Sequence, residues 1–550
     1  MRSRLAWFCL LFVVVAISAR TVQAQVESDT TRSNQADVSA DSLTVRTENG
    51  EEIQDLMGHV FVRQDSTMLR SQRAIRYVNG QTYVFSGNVL IVERGDSLRA
   101  DTVYYDRRTK IGRARGNVLL TDGEVEVRAP SGSYFSREKR ARFEEGLTLV
   151  DSTSEVTSER GTYWSDEKRA ELDGNVRLNA DRTHLESDSL TYFRETEVSI
   201  ARSNVFIERI GGADDADADS TIRTLLFGQY AYNDDRAGRS QVEGQPLLVQ
   251  LRQDSTGAEI DTLMIRALML ESVQQDSLQR LVAVDSVQIW KADFAALADS
   301  VVYERMEMAR DTLASDSTLT AFPASDSTMA DSTLIDFTAT DSAVSDSIVT
   351  DTTMIQREET RLFGNPVAWV EESQVSGDSI RVKGRGGEID SLFVRRNAFV
   401  AQRDTVLDRI QQLKGQHLVG VFLDDSVRVF TLGPNAEVIY FQRDDNDQPD
   451  GGLKASGDKA VFYIRGDQPE RIAFSQDIQG TMYPESQLPT PFRLDGFRWE
   501  PERRPTSVDL VREDRIRRIL QGLPPIMIFE TVPSATKEDE ATAENSDSNN

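Results

Sequence analysis

Thiol chemistry has almost no place in this sequence, because Cys9 is its only cysteine. It sits inside an apolar stretch near the N-terminus, so the remainder can build neither a disulfide framework nor a thiolate metal site. Histidine is nearly as scarce. His59, His184 and His417 lie far apart and form no metal-ligand pair at useful spacing. Positive charge is in short supply as well: 63 Lys and Arg stand against 90 Asp and Glu, a net charge of −27. That balance argues against a nucleic-acid backbone as partner, which needs basic patches. No nucleophile elbow and no phosphate-cradling glycine loop is visible. Carboxylates occur everywhere and none is singled out, so the chain is read as having no enzyme activity and no cofactor.

Long apolar runs are absent except at the start. Arg2 and Arg4, the apolar residues 5–17 and the small-residue site Val22-Gln23-Ala24 have the order of a secretion signal over residues 1–24. About 13 apolar residues fall short of the roughly 20 that span a bilayer as a helix. An exported product is expected. Residues 25–50 are polar and aperiodic, and are expected to form a disordered leader.

What is present is a repeat. A Gly-Asn-Val-like mark falls at Gly58, Gly87, Gly116, Gly146, Gly174 and Ser203, about 29 residues apart. A second mark, Tyr77, Tyr105, Tyr134, Tyr163 and Tyr192, keeps step with it. β-Branched and aromatic residues between Gly, Asn and Asp turns are strand chemistry. Each Gly-Asn is read as a turn from which a strand starts. Positions two and four after each mark are Val60/Val62, Val89/Ile91, Val118/Leu120, Thr148/Val150, Val176/Leu178 and Val205/Ile207. All but Thr148 are aliphatic, so this column is expected to face a shared apolar interior. The residues between them, Phe61, Leu90, Leu119, Leu149, Arg177 and Phe206, are also mostly apolar. The following strand changes parity midway, which predicts a bulge or corner that bends each rung around its interior. The tyrosine column is read as stacking between rungs, with contact to a lipid or sugar as the alternative.

The pattern weakens but persists. The Asp-rich residues 211–221 read as a solvated loop inserted at a rung corner; calcium is conceivable, but EF-hand spacing is absent. Residues 298–303 repeat the pattern of 100–105, so repeats are expected over 51–303. Residues 304–360 read as a low-complexity Asp/Ser/Thr insertion and 361–506 as further β repeats and a cap. Residues 507–522 predict one short amphipathic helix built on Val508, Leu510, Val511, Ile516, Ile519 and Leu520. Residues 526–532 are read as a last strand and 533–550 as a disordered acidic tail.

Residues 87–91, 98–105 and 113–118 together resemble the LptA/OstA organic-solvent-tolerance family, strongly over 51–210 and more weakly downstream. The resemblance implies a twisted β-jelly-roll stack, open along one side, in the periplasm of a double-membraned bacterium. It implies a bridge that carries lipopolysaccharide along an apolar groove. The resemblance also implies a periplasmic location, with association with the outer membrane as a further expectation.

The expected fold is therefore all-β: a solenoid-like jelly-roll stack of roughly 29-residue rungs, open at its ends. The lipid-contact residues expected are Val60, Val62, Val89, Ile91, Val118, Leu120, Val176, Leu178, Val205 and Ile207. Expected partners are lipopolysaccharide or a similar lipid, other bridge components added at edge strands, and further copies head to tail. Two other readings stand beside this one. A structural or adhesive solenoid would have a sealed core, and a carbohydrate-active β-helix enzyme would show two acids in an exposed cleft.

Overall fold

The computed structural model describes residues 37–521, apart from 213–220, 254–258, 310–353 and a few turns of one to three residues. The signal, residues 25–36, the expected strand at 526–532 and the acidic tail lie outside the described residues. So do most of the two insertions. Among the described residues 34 strands form a single antiparallel sheet, and no helix is long and apolar enough to cross a membrane.

The Gly-Asn marks are not strand starts. Thr82–Glu93 runs through Gly87 and Asn88, and its pairing with Asp96–Asp106 slips between Ser86 and Val89. Gly87 and Asn88 both have positive φ, 78° and 48°. Two successive left-handed residues make a bulge that turns the strand through a corner without ending it. The same pair recurs at Gly58-His59, Gly116-Asn117, Gly174-Asn175 and Ser203-Asn204. The hairpin turns lie half a rung away, for example at 78–81 and 107–110.

Because every long strand bends at this corner, the sheet folds lengthwise into two walls. One wall pairs the pre-corner half of Thr82–Glu93 with the post-corner half of Asp96–Asp106, and the other wall pairs the remaining halves. Both ladders continue without a break past 294–309 and 388–404 to the pairings of Lys459–Arg465 with Gln468–Ser475 and of Pro449–Gly457 with Gln479–Tyr483. Each wall has about 24 rungs at about 4.8 Å, so the ribbon is roughly 110 Å long. Apolar side chains from both walls fill the space between them in two successive clusters, one from Val60 to Val242 and one from Ile265 to Phe462.

Several local expectations change. The leader is ordered from residue 37: Asp37–Ser39 and Ser42–Glu48 pair with the two halves of Glu51–Gln64. Their backbone bonds use a free sheet edge while Val38, Leu43 and Val45 stay exposed, so no burial pattern marks them in sequence. At Gly146 only one residue has positive φ. The phase therefore moves by one, and Leu147 and Leu149 face inward while Thr148 and Val150 do not. The lone polar member of the expected column is thus an outward residue. Tyr105, Tyr134, Tyr163 and Tyr192 share one buried inward row, separated by Gly112, Ala141 and Ala170. Tyr77 falls off it, since Arg76 pairs with Tyr83 in that register. The Asp-rich insertion interrupts a hairpin tip between Gly212 and Thr221, which are paired, and so does not sit at a bend. The larger insertion likewise leaves Phe294–Ala309 paired with Met354–Phe363, so strand extends into both ends of the span expected to be low-complexity.

After Tyr483 the chain reverses and runs back along the outside of the second wall. Leu488, Phe492, Leu494, Phe497 and Trp499 cover Phe399, Ile439 and Phe441. Further on, Leu510, Val511 and Ile516 cover Phe206, Phe227, Leu247 and Met264. Two buried glutamines on the wall clamp this strap. Gln412 accepts from Leu494 N at 2.9 Å and donates to Phe492 O. Gln374 accepts from Glu500 N at 2.9 Å and donates to Arg498 O at 3.0 Å. The expected single helix is two pieces, Ser507–Leu510 and Asp514–Leu520. Val511 leaves the helical region at φ −94°, ψ 75°. Leu510, Val511 and Ile516 would point in three directions on a straight helix, and the break brings them onto one patch.

Candidate functional site

Among the described residues the interior between the walls follows the ribbon from end to end in two successive apolar clusters. All ten expected contact residues belong to its first cluster. Val60, Val89, Ile91, Val118, Leu120, Val176, Leu178 and Val205 are only 0–5% exposed, and Val62 and Ile207 pack against them while partly exposed. Opposite them, Ala74, Phe85, Val103, Ala114 and Tyr134 come from the other wall. Strand pairings stay within one wall or the other among the described residues. The walls are covalently joined at the corner, and beyond it they meet only through side-chain packing. Such a seam is held by the hydrophobic effect, which an apolar chain of matching width can replace in kind.

The corner is fixed by polar groups that sequence columns did not isolate. Asn117 Nδ2 donates to Asp101 Oδ2 at 3.0 Å, Asn204 Nδ2 to Asp188 Oδ2 at 2.9 Å, and Asn397 Nδ2 to Asp378 Oδ1 at 2.9 Å. Asn175 bonds Glu159 in the same way. At Gly116 a Cβ would strike the Asp101 carboxylate, so the mark needs glycine both for its φ of 73° and for space. An acid or amide about 15 residues before a mark was the available signal, as with Asp101 before Gly116 and Gln72 before Gly87.

Among the described residues one carboxylate is fully buried. Asp55 accepts from Arg73 Nε at 2.9 Å and Nη2 at 2.6 Å, and from Arg46 Nη1 at 3.1 Å. The Arg73 hydrogen bonds, helped by Arg46, hold its pKa below the ordinary aspartate range against the opposing effect of burial. The histidines serve local contacts. His59 Nδ1 lies 2.8 Å from Asp41, His184 beside Asn179 and Glu186, and His417 accepts from Arg396 N. Among the described residues no three His, Cys, Asp or Glu side chains gather as metal ligands.

The free ends of the ladders are edge strands. Ser42–Glu48 ends one wall at the N-terminal side, and Gln468–Ser475 and Gln479–Tyr483 end the two walls at the other. Leu43, Val45, Ile478 and Met482 are exposed there.

Comparison with known proteins locates the likeness in the first part of this ribbon. Residues 37–188 match the model of the OstA-like protein family. No curated protein matches. A solved structure that is similar is LptH from Pseudomonas aeruginosa, the LptA homologous periplasmic component of the conserved lipopolysaccharide transport device. It is 12% identical, with a TM-score of 0.18, over 20% of this chain and 81% of that one. The likeness to the OstA-like family thus covers the segment 37–188, from the first edge strand through four Gly-marked bends, about a quarter of the chain.

Proposed function

We propose that this chain is a non-enzymatic periplasmic carrier or bridge in lipopolysaccharide transport to the outer membrane, sheltering acyl chains between its two walls. The observation that carries the reading is an aliphatic interior extending the length of the ribbon between walls joined covalently only at the corner. The OstA-like segment supports it. Acyl chains enter along the seam opposite the corner, where Val62, Ile91, Leu120, Leu178 and Ile207 approach the hairpin tips, and the inner residues exchange contacts with one another for contacts with lipid. Partners, including further copies of this chain, add strands at the exposed edges, where unpaired backbone groups are available.

A second reading, a structural ribbon with a sealed core, is favoured by the near-complete burial of Val118 and Leu120. A photo-crosslinking residue at Val118 or Leu120, in cells that make the protein, separates the two. The carrier predicts adducts with lipopolysaccharide at both positions and none at Tyr104, an exposed residue outside the first wall. Absence of lipid adducts at Val118 and Leu120 in folded protein would leave the sealed ribbon.

A further inference from the structure

The outside of the second wall changes character along its length. Where the strap lies it is apolar and clamped by Gln374 and Gln412. The strap's last described packing is that of Ile516 and Leu520 in the patch that includes Phe206 and Phe227. Beyond that point, toward the N-terminal end, the same face is not covered by any described segment. Its cross-strand row reads Phe61, Arg70, Leu90, Arg99, Leu119, Arg128, each residue paired with the next. The neighbouring outward row adds Arg63, Met68 and Val92, and its acids are Asp37, which lies across from Arg63, and Glu126, which pairs with Arg128 at 2.6 Å. Four arginines alternating with half-buried apolar residues form a basic, greasy strip on a chain whose net charge is −27. Beside Leu119, Arg128 and Pro130 the strip opens into a cleft of about 700 Å³.

We propose that the C-terminal residues 523–550 continue the strap onto this strip. Three observations meet here. The strap already follows the face in this direction from Glu485 to Leu520. The uncovered part is about ten rungs, roughly 50 Å, and residues 522–550 reach up to roughly 95 Å when extended. The chemistry of the remaining chain also complements the strip in order: Ile526, Met527, Ile528 and Phe529 come first, then Glu538, Asp539, Glu540, Glu544 and Asp547. From Leu520 beside Phe206, nine extended residues span about 30 Å. That carries the chain past Glu186, Arg177, Thr157 and Thr148 and brings Phe529, the end of the apolar run, to the cleft at Leu119, six rungs away. The acids then lie along Arg128, Arg99 and Arg70. Opposite charges at an exposed face contribute modestly and are screened by salt, so the apolar anchor supplies most of the hold and the acids fix its place. The strip is then an internal docking surface, and the inference is independent of what the interior carries.

The test uses the full chain with a photo-crosslinking residue at Leu119, read by peptide mapping. Intramolecular cross-links to 526–547 are expected. Their yield should fall at least about tenfold when Arg70, Arg99 and Arg128 all become Glu, and persist when all three become Lys. Circular dichroism checks that both variants keep the native β signal. Absence of cross-links to 526–547, or cross-links made instead to lipid or to a second protein molecule, overturns the proposal; so does a yield that ignores the sign of the charges.

Discussion

At the level of single residues, the bends depend on a small polar device repeated along the ribbon. Gly116 takes a left-handed φ and leaves room for Asp101, which in turn bonds Asn117. Gly116→Ala therefore meets both backbone strain and a carboxylate, and should cost about 2 kcal/mol, seen as a lower midpoint of thermal unfolding. Asn117→Ala keeps the glycine and loses one hydrogen bond, costing about 1 kcal/mol. Asp55 makes a pH prediction. Its folded pKa is depressed by Arg73, so its stabilisation is present above the unfolded aspartate pKa and is lost as pH falls through the lower folded value. Asp55→Asn should cost about 2 kcal/mol near neutral pH, less than a fully enclosed pair because Arg73 keeps part of its surface in water. That difference between variant and parent should shrink on acid titration. If it is as large at pH 2 as at pH 7, the ion pair is not its source.

The strap is an element whose effect can be isolated. Gln412→Leu removes both partners of Phe492 O and Leu494 N while keeping bulk, leaving two backbone groups unpaired in a buried place. A loss of about 2 kcal/mol in local stability is expected, read as faster amide exchange over 488–500 with exchange in Val118–Leu120 unchanged. Equal acceleration in both regions would show the strap to be part of the global core. Elements also show what could be read beforehand. The 29-residue period, the aliphatic column and the bend were legible because two-residue alternation reports a buried face directly. The bend's position within the strand was not, since Gly-Asn is equally good chemistry for a hairpin turn and for a double left-handed bulge. The shift at Gly146 was visible only as an unexplained Thr148. The strands at 37–48 could not be read at all, because they are held by backbone pairing with their side chains outside. The strap's apolar residues were legible as a pattern, and the wall they cover was not.

For the whole molecule, the account is of one folded ribbon whose two walls are continuous from residue 37 to residue 483. Length comes from adding rungs, so the interior can serve as a continuous path without any specialised site along it. The ten interior residues named from sequence lie together, as a shared apolar face requires, and eight of them are buried, so the proposed carriage of acyl chains requires the walls to part. The most direct test of this is a distance across the seam. Spin labels on cysteines replacing Arg108 and Thr121 sit toward the tips of opposite walls, in a chain whose only native cysteine is Cys9. Addition of lipopolysaccharide should lengthen the distance between them, while a pair placed along one wall, at Tyr104 and Arg142, stays fixed. An unchanged distance at lipid concentrations that give cross-links at Leu120 would contradict the parting of the walls, and with it the claim that the interior is the carrying surface.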